Sequence, residues 1–159
     1  MNLSDPPLRI HRWRHRTDQD DLPDDRYARH VNNARYFHFI NRCFRGWYIA
    51  MGLRNPGHRF GAMMVRSEYD FLREVHPPSW IECEIEVVRL GRSSLEHAVR
   101  MFDLGPEAEG PAAQVGRGKV IHACFDRQSR QTTAWPAELA ALCWAVPSNG
   151  SEQDGTVSR

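Results

Sequence analysis

The sequence predicts an α+β domain in which one antiparallel sheet is covered on one face by a single long helix. Three observations point there. After Asn33 the apolar residues Tyr36, Phe37, Phe39, Ile40, Cys43, Phe44, Trp47, Tyr48, Ala50 and Met51 recur at spacings of three and four, which makes a broad apolar helix face. From Phe60 onward the period changes to two. It is clearest in Trp80–Leu90, where Ile81, Cys83, Ile85 and Val87 point one way and Glu82, Glu84 and Glu86 the other. Several antiparallel strands with one apolar face need a cover, and the long helix is the obvious one.

Each element has a local reason. Residues 1–7 read as a loose end, and Leu8–Arg16 alternates in part, with Trp13 at its centre, so it reads as a strand. Thr17–Arg29 holds five Asp, one Pro and almost nothing apolar, so it is expected to be an exposed loop leading to His30. Asn32 or Asn33 can cap the helix, because a short side-chain oxygen accepts a free first-turn N–H. Arg35, His38, Asn41, Arg42 and Arg45 interrupt its apolar face, and Gly52 followed by Pro56 stops it. Strands are expected over Ala62–Phe71, Trp80–Leu90 and Ala112–Phe125, with His76-Pro77-Pro78-Ser79 breaking the first from the second. Ser93–Phe102 is the return strand of a hairpin turning at Gly91-Arg92, although its residue types also admit a helix. Pro136–Val146 is a short helix with Pro at its start, and 147–159 is a polar tail expected to be disordered. The whole reads as one domain over residues 1–146.

The totals exclude several classes. The net charge is +1, so bulk charge gives no argument for nucleic acid. Twenty of the 21 basic residues are Arg, which reads as a genome bias. Cys43, Cys83, Cys124 and Cys143 are too scattered for a zinc site or a disulfide framework and read as buried free thiols in a reducing compartment. No apolar run reaches membrane-spanning length and no signal-like segment opens the chain, so a cytoplasmic protein is expected. The HRWRHR stretch at 11–16 has no Cys partners and is not expected to hold a metal.

The segment His30-Val31-Asn32-Asn33-Ala34 with Tyr36 opens the helix, and Tyr69 lies on the strand after it. With the Trp80–Leu90 strand, the Gly91-Arg92-Ser93-Ser94 hairpin and the strand ending before Trp135-Pro136, this plan resembles the hotdog-fold acyl-CoA thioesterases of the 4-hydroxybenzoyl-CoA thioesterase type, over about residues 8–140. The resemblance implies a hotdog fold, a curved antiparallel sheet wrapped around the central helix. It implies a homodimer or a dimer of dimers with active sites at the subunit interface, and neither metal nor organic cofactor. The implied substrate is an acyl-CoA or acyl-carrier-protein thioester of fatty-acid or aromatic-acid metabolism. Where the family carries an Asp four residues before the motif His, this chain has Arg26. Where a related branch has Asn two before it, this chain has Ala28, and the helix acid five residues after the Tyr is Asn41.

Thioester hydrolysis needs a polarised carbonyl, an activated water and a leaving thiolate. Helix-start N–H groups can polarise the carbonyl, and a His or carboxylate can activate water. The candidate catalytic residues are therefore His30 and Asn33 at the helix start, with Asp24 or Asp25 from the preceding loop. Asn32, Tyr36, Arg42, Tyr69, Ser93 and Ser94 are candidate substrate contacts. Arg89, Arg92, Arg127 and Arg130, at strand ends, are candidates for the phosphates of CoA. Each also has a plainer reading, as a loop or hairpin polar group, a core aromatic or a surface cation. Two rivals share the fold: an enoyl-CoA hydratase or dehydratase using Asp25 and His30, and a non-catalytic acyl-CoA or lipid-binding dimer.

Overall fold

The computed structural model describes residues 8–24, 27–55, 57–108 and 110–144. The tail expected over 147–159 and the carboxylate of Asp25 lie outside the described residues. In chain order the elements are β1 (Ile10–Arg16), a single 3-10 turn (Gln19–Asp21), α1 (Asn33–Ala50), β2 (Phe60–Phe71), β3 (Trp80–Leu90), β4 (Ser94–Gly105), β5 (Ala113–Asp126) and α2 (Ala137–Cys143). The strands form one five-stranded sheet in the order β1-β3-β4-β5-β2, antiparallel at every step.

The sheet folds around α1. Tyr36, Phe39, Ile40, Cys43, Phe44 and Trp47 of the helix are buried against Ile81, Cys83, Ile85 and Val87 of β3, Leu95, Val99 and Met101 of β4, and Val115, Val120 and Cys124 of β5. The alternation of β3 holds, with its apolar set inside. Its outward acids are consumed by a charge ladder: Arg14 Nε lies 2.7 Å from Glu82, Arg100 spans Glu84 at 2.7 Å and Glu86 at 2.6 Å, and Arg12 also pairs with Glu84. The four cysteines are free and buried.

Two readings need correction. The return strand β4 is no helix and runs three residues beyond Phe102, because Asp103 pairs with Ile81 and Gly105 with Trp80. The acidic stretch 17–29 is not an exposed loop throughout. Asp21 is 0% exposed. Its Oδ1 accepts Arg35 Nε at 2.8 Å and lies 2.7 Å from Arg35 Nη2, while its Oδ2 accepts the Asp18 N–H and faces His15 Nε2, both at 3.1 Å. Burial alone would raise this carboxyl, but those hydrogen bonds outweigh it and hold it below the usual carboxylate value. Composition made the stretch look solvated; a cation on the helix and an imidazole on β1 are what let one acid go inside.

What positions the site is the linker 72–79 between β2 and β3. It is fastened at three points to the segment before α1. Val31 N–H donates to Val75 O at 2.8 Å, His76 Nδ1 lies 2.9 Å from Arg29 O, and Thr17 exchanges hydrogen bonds with the Ser79 backbone at 2.8–3.0 Å.

Candidate active site at the start of the central helix

The helix starts in a defined way. Asn32 is the cap and its side-chain oxygen accepts the Ala34 N–H at 2.9 Å, while Arg35 N–H donates to Asn32 O at 2.8 Å. The Asn32 N–H is itself held by Asp21 O at 2.8 Å. That leaves the Asn33 N–H, which has no acceptor among the described residues. It opens at the positive end of an 18-residue helix.

Beside it lies a cavity of about 270 Å³ lined by His30, Val31, Asn33, Tyr36, Phe71, Leu72, Arg73 and Glu74. Its floor is aromatic. The Tyr36 ring meets Phe71 edge-on at 5.3 Å and Tyr69 at 6.0 Å, and Tyr69 meets Phe71 at 5.0 Å and Phe37 at 6.1 Å. Tyr69 reaches this floor because β5 offers Gly116 and Gly118 beneath it; a Cβ at Gly116 would overlap the Tyr69 hydroxyl. Burial pushes the Tyr36 phenol up to about 12 and raises Tyr69 as well, so both are neutral donors near pH 7 and neither is a base. The Tyr69 hydroxyl is buried and has no partner among the described residues.

The polar wall is His30 and Glu74. His30 Nδ1 lies 3.8 Å from one Glu74 oxygen, and His76 Nε2 lies 3.5 Å from the other. Three positions named from the sequence, His30, Asn33 and Tyr36, thus line one cavity, with Asn32 capping its edge and Tyr69 under its floor. Asp24 is exposed and is not among the lining residues. Arg42 is exposed further along α1, with its Nε 3.4 Å from His38 Nε2.

The remaining candidates sit elsewhere in the protomer. Ser94 pairs with Ala123 on β5, while Phe71 pairs with Gly116, so the Ser93-Ser94 hairpin is seven residues along β5 from the cavity. At a strand rise near 3.3 Å per residue that is about 23 Å. Arg89 and Arg92 flank the same hairpin, and Arg127 and Arg130 flank the turn after β5. Arg127 donates to Leu53 O at 2.7 Å, just past the C-terminal end of α1.

Sequence reading missed Glu74 and Asp21. No spacing marks Glu74, since it belongs to a Pro-containing linker whose docking onto residues 29–31 is a tertiary event. Asp21 carried a usable signal: Asp18 and Asp21 form a capping box around one short turn, a local pattern of acids three residues apart.

The family model of the thioesterase-like superfamily matches residues 12–142, and the chain belongs to that superfamily. Solved structures agree on the hotdog fold. The PA2801 protein of Pseudomonas aeruginosa, a candidate thioesterase, superposes with a TM-score of 0.71 at 26% identity, covering 82% of this chain and 95% of that one. The PA5185 protein of Pseudomonas aeruginosa strain PAO1 gives 0.69 at 29% identity, covering 86% and 92%. A mutant 4-hydroxybenzoyl CoA thioesterase complexed with 4-hydroxybenzoyl CoA gives 0.71 at 17% identity, covering 86% and 99%. A sequence search of curated proteins gives no match.

Proposed function

We propose that this protein is a thioester hydrolase acting on an acyl-CoA or acyl-carrier-protein substrate, with the carbonyl seated at the start of α1. One observation carries the reading: an N–H with no acceptor among the described residues, an imidazole and an aromatic-floored cavity converge at that helix start in a chain of the thioesterase-like superfamily. The thioester oxygen accepts from the Asn33 N–H, a kind of donor worth about 3 kcal/mol of barrier. His30 takes a proton from water as the water attacks the carbonyl carbon, and the thiolate leaves. The acyl group rests on Tyr36, Phe71 and Tyr69. No metal or organic cofactor enters this chemistry.

The working unit in this reading is a homodimer. β2 is a sheet edge of 12 residues carrying exposed Met63, Val65 and Phe71, with Leu72 just beyond it, and such an edge is a template for pairing. Antiparallel β2–β2 pairing sets the Phe60 end of one protomer beside the Phe71 end of the other. The strand-end cations Arg127 and Arg130 then approach the helix start of the opposite protomer, where the phosphates of CoA would emerge. No helix among the described residues is long and apolar enough to cross a membrane. With four buried free thiols, a reducing compartment such as the cytoplasm is the fitting location.

The test is thiol release from short-chain, long-chain and aromatic acyl-CoAs by wild type and His30→Ala. Release that collapses in the variant supports the proposal. A folded wild-type protein that binds CoA thioesters and releases no thiol from any of them, or from acyl-carrier-protein thioesters, would overturn it in favour of a binding dimer.

A further inference from the structure

The family resemblance places a carboxylate at two positions that hold none in this chain. Arg26 and Asn41 occupy those positions, and Asp24 does not line the cavity. Asp21 is close in the chain, yet it is fully buried and both its oxygens are already engaged by Arg35, His15 and the Asp18 N–H. It clamps the loop to the helix and has nothing left to offer a water. Among the described residues, the acid that lines the cavity is Glu74, which follows β2.

Glu74 is held in place by its neighbours. On one side the Leu72 and Arg73 N–H groups donate to Val115 O at 2.9 and 3.2 Å. On the other, Val75 is 1% exposed and accepts from Val31, the residue after His30. The linker and the motif histidine are therefore bolted together one residue beyond each. His76 is tied to Arg29 O and faces the second Glu74 oxygen, which limits the rotamers open to the carboxylate. One Glu74 oxygen then faces His30 Nδ1 at 3.8 Å. That is longer than a hydrogen bond, but catalytic pairs without substrate are often loose and tighten on binding.

We propose that Glu74, supplied by the β2–β3 linker, is the positioning residue for His30. The carboxylate holds the imidazole proton on Nδ1 and so leaves Nε2 as the bare base that faces water. In the reaction, water oxygen bonds to the thioester carbonyl carbon and its proton passes to His30 Nε2. The carbon–sulfur bond then breaks with its electron pair on sulfur, and the imidazolium returns the proton to the thiolate. Acid and thiol are released, and Glu74 stays a carboxylate throughout. Seating an acyl group over Phe71 and Leu72 strips water from Glu74 and strengthens its hold at the moment it is needed. This inference rests on the thioester-hydrolase reading for its kinetics, but not for its structural half.

The experiment uses the full chain as wild type, Glu74→Gln, Glu74→Asp and His30→Ala, with two readouts. Steady-state turnover of whichever acyl-CoA the wild type hydrolyses should fall about tenfold or more in kcat in Glu74→Gln, with KM within about twofold, and Glu74→Asp should restore part of it. Nitrogen-15 spectra of the histidine rings at mildly alkaline pH should show His30 protonated on Nδ1 in wild type and shifted toward the Nε2–H form in Glu74→Gln. Glu74 is a largely exposed side chain, so the variants fold. Unchanged kcat together with an unchanged His30 tautomer in Glu74→Gln overturns the proposal. Turnover that survives His30→Ala also overturns it, while leaving a thioesterase that works without the dyad. If wild type hydrolyses no thioester, the functional reading fails on its own, and the nitrogen spectra alone decide whether Glu74 sets the tautomer.

Discussion

Acidification should unfold this protein from within, through two histidines that take no part in the proposed chemistry. His97 on β4 and His122 on β5 are both 0% exposed. Their rings sit 5.1 Å apart, with Phe44 5.0 and 4.5 Å from them and Trp47 4.8 Å from His97. Tyr48 closes over His122 at 5.6 Å. None of the four ring nitrogens has a hydrogen-bond partner among the described residues. A proton added there meets a wall of aromatic rings, with only the Val120 backbone favouring the charged form of His97. Burial pushes His122 down from 6.5 to about 4, and burial plus the neighbouring His122 pushes His97 well below its ordinary value.

The sign follows from linkage. Well above pH 6.5 His122 is neutral in folded and unfolded chains and contributes no pH dependence. Below it the unfolded chain binds a proton that the folded chain refuses, so stability falls as pH falls, until the folded value near 4 is reached. At full slope each pH unit costs about 1.4 kcal/mol per such histidine; because the slope is partial at both ends, the interval from pH 6.5 to about 4.5 costs about 2 kcal/mol for His122 alone. That is a large share of the roughly 5–15 kcal/mol that holds a domain together. The depressed carboxyls Asp21, Glu84 and Asp126 have ordinary values of 3.8, 4.5 and 3.8 and withdraw their stabilisation mainly below this window. Urea denaturation at a series of pH values, wild type against His122→Phe, isolates the effect. The variant should lose about one proton's worth of slope in this interval, and His97→Phe is the second variant should the first fail to fold. Parallel pH dependences for wild type and both variants would refute the argument and mean that the pair is hydrated or already charged in the native protein.

Three further outcomes are expected. Gly116→Ala drives a methyl into the Tyr69 hydroxyl and should cost about 1–3 kcal/mol in urea unfolding, part of it recovered when Tyr69→Leu is added. Asp21→Asn removes the charge that Arg35 and His15 share and should destabilise by about 1–3 kcal/mol; an unchanged urea midpoint would mean that the loop does not depend on this clamp. Val65→Arg places a cation at the bulge of the β2 edge, where Val65 is 55% exposed, and should turn the proposed dimer into monomers in sedimentation velocity without lowering thermal stability by more than the loss of the interface.

The elements were legible in the sequence because each answers to short-range physics. The three-and-four spacing from Tyr36 to Met51 can bury one face only as a helix, and the alternation in Trp80–Leu90 can bury one face only as a strand, so both appear close to the expected bounds. Asn32 was readable as a cap for the same reason, as were His30 and Asn33 beside it. Everything decided by which distant segments meet was out of reach. The docking of Val75 onto Val31 brings Glu74 beside His30 across 44 positions of chain, and nothing in the local pattern of either segment records it. Asp21 looked solvated until Arg35 and His15 closed around it. Within one protomer the register sets the hairpin serines and the strand-end arginines at the other end of β5 from the helix start, a separation that no local pattern records. Periodicity fixes which face of an element is apolar; long-range pairing, with its loop-closure cost and its burial of particular charges, decides which side chains share a cavity.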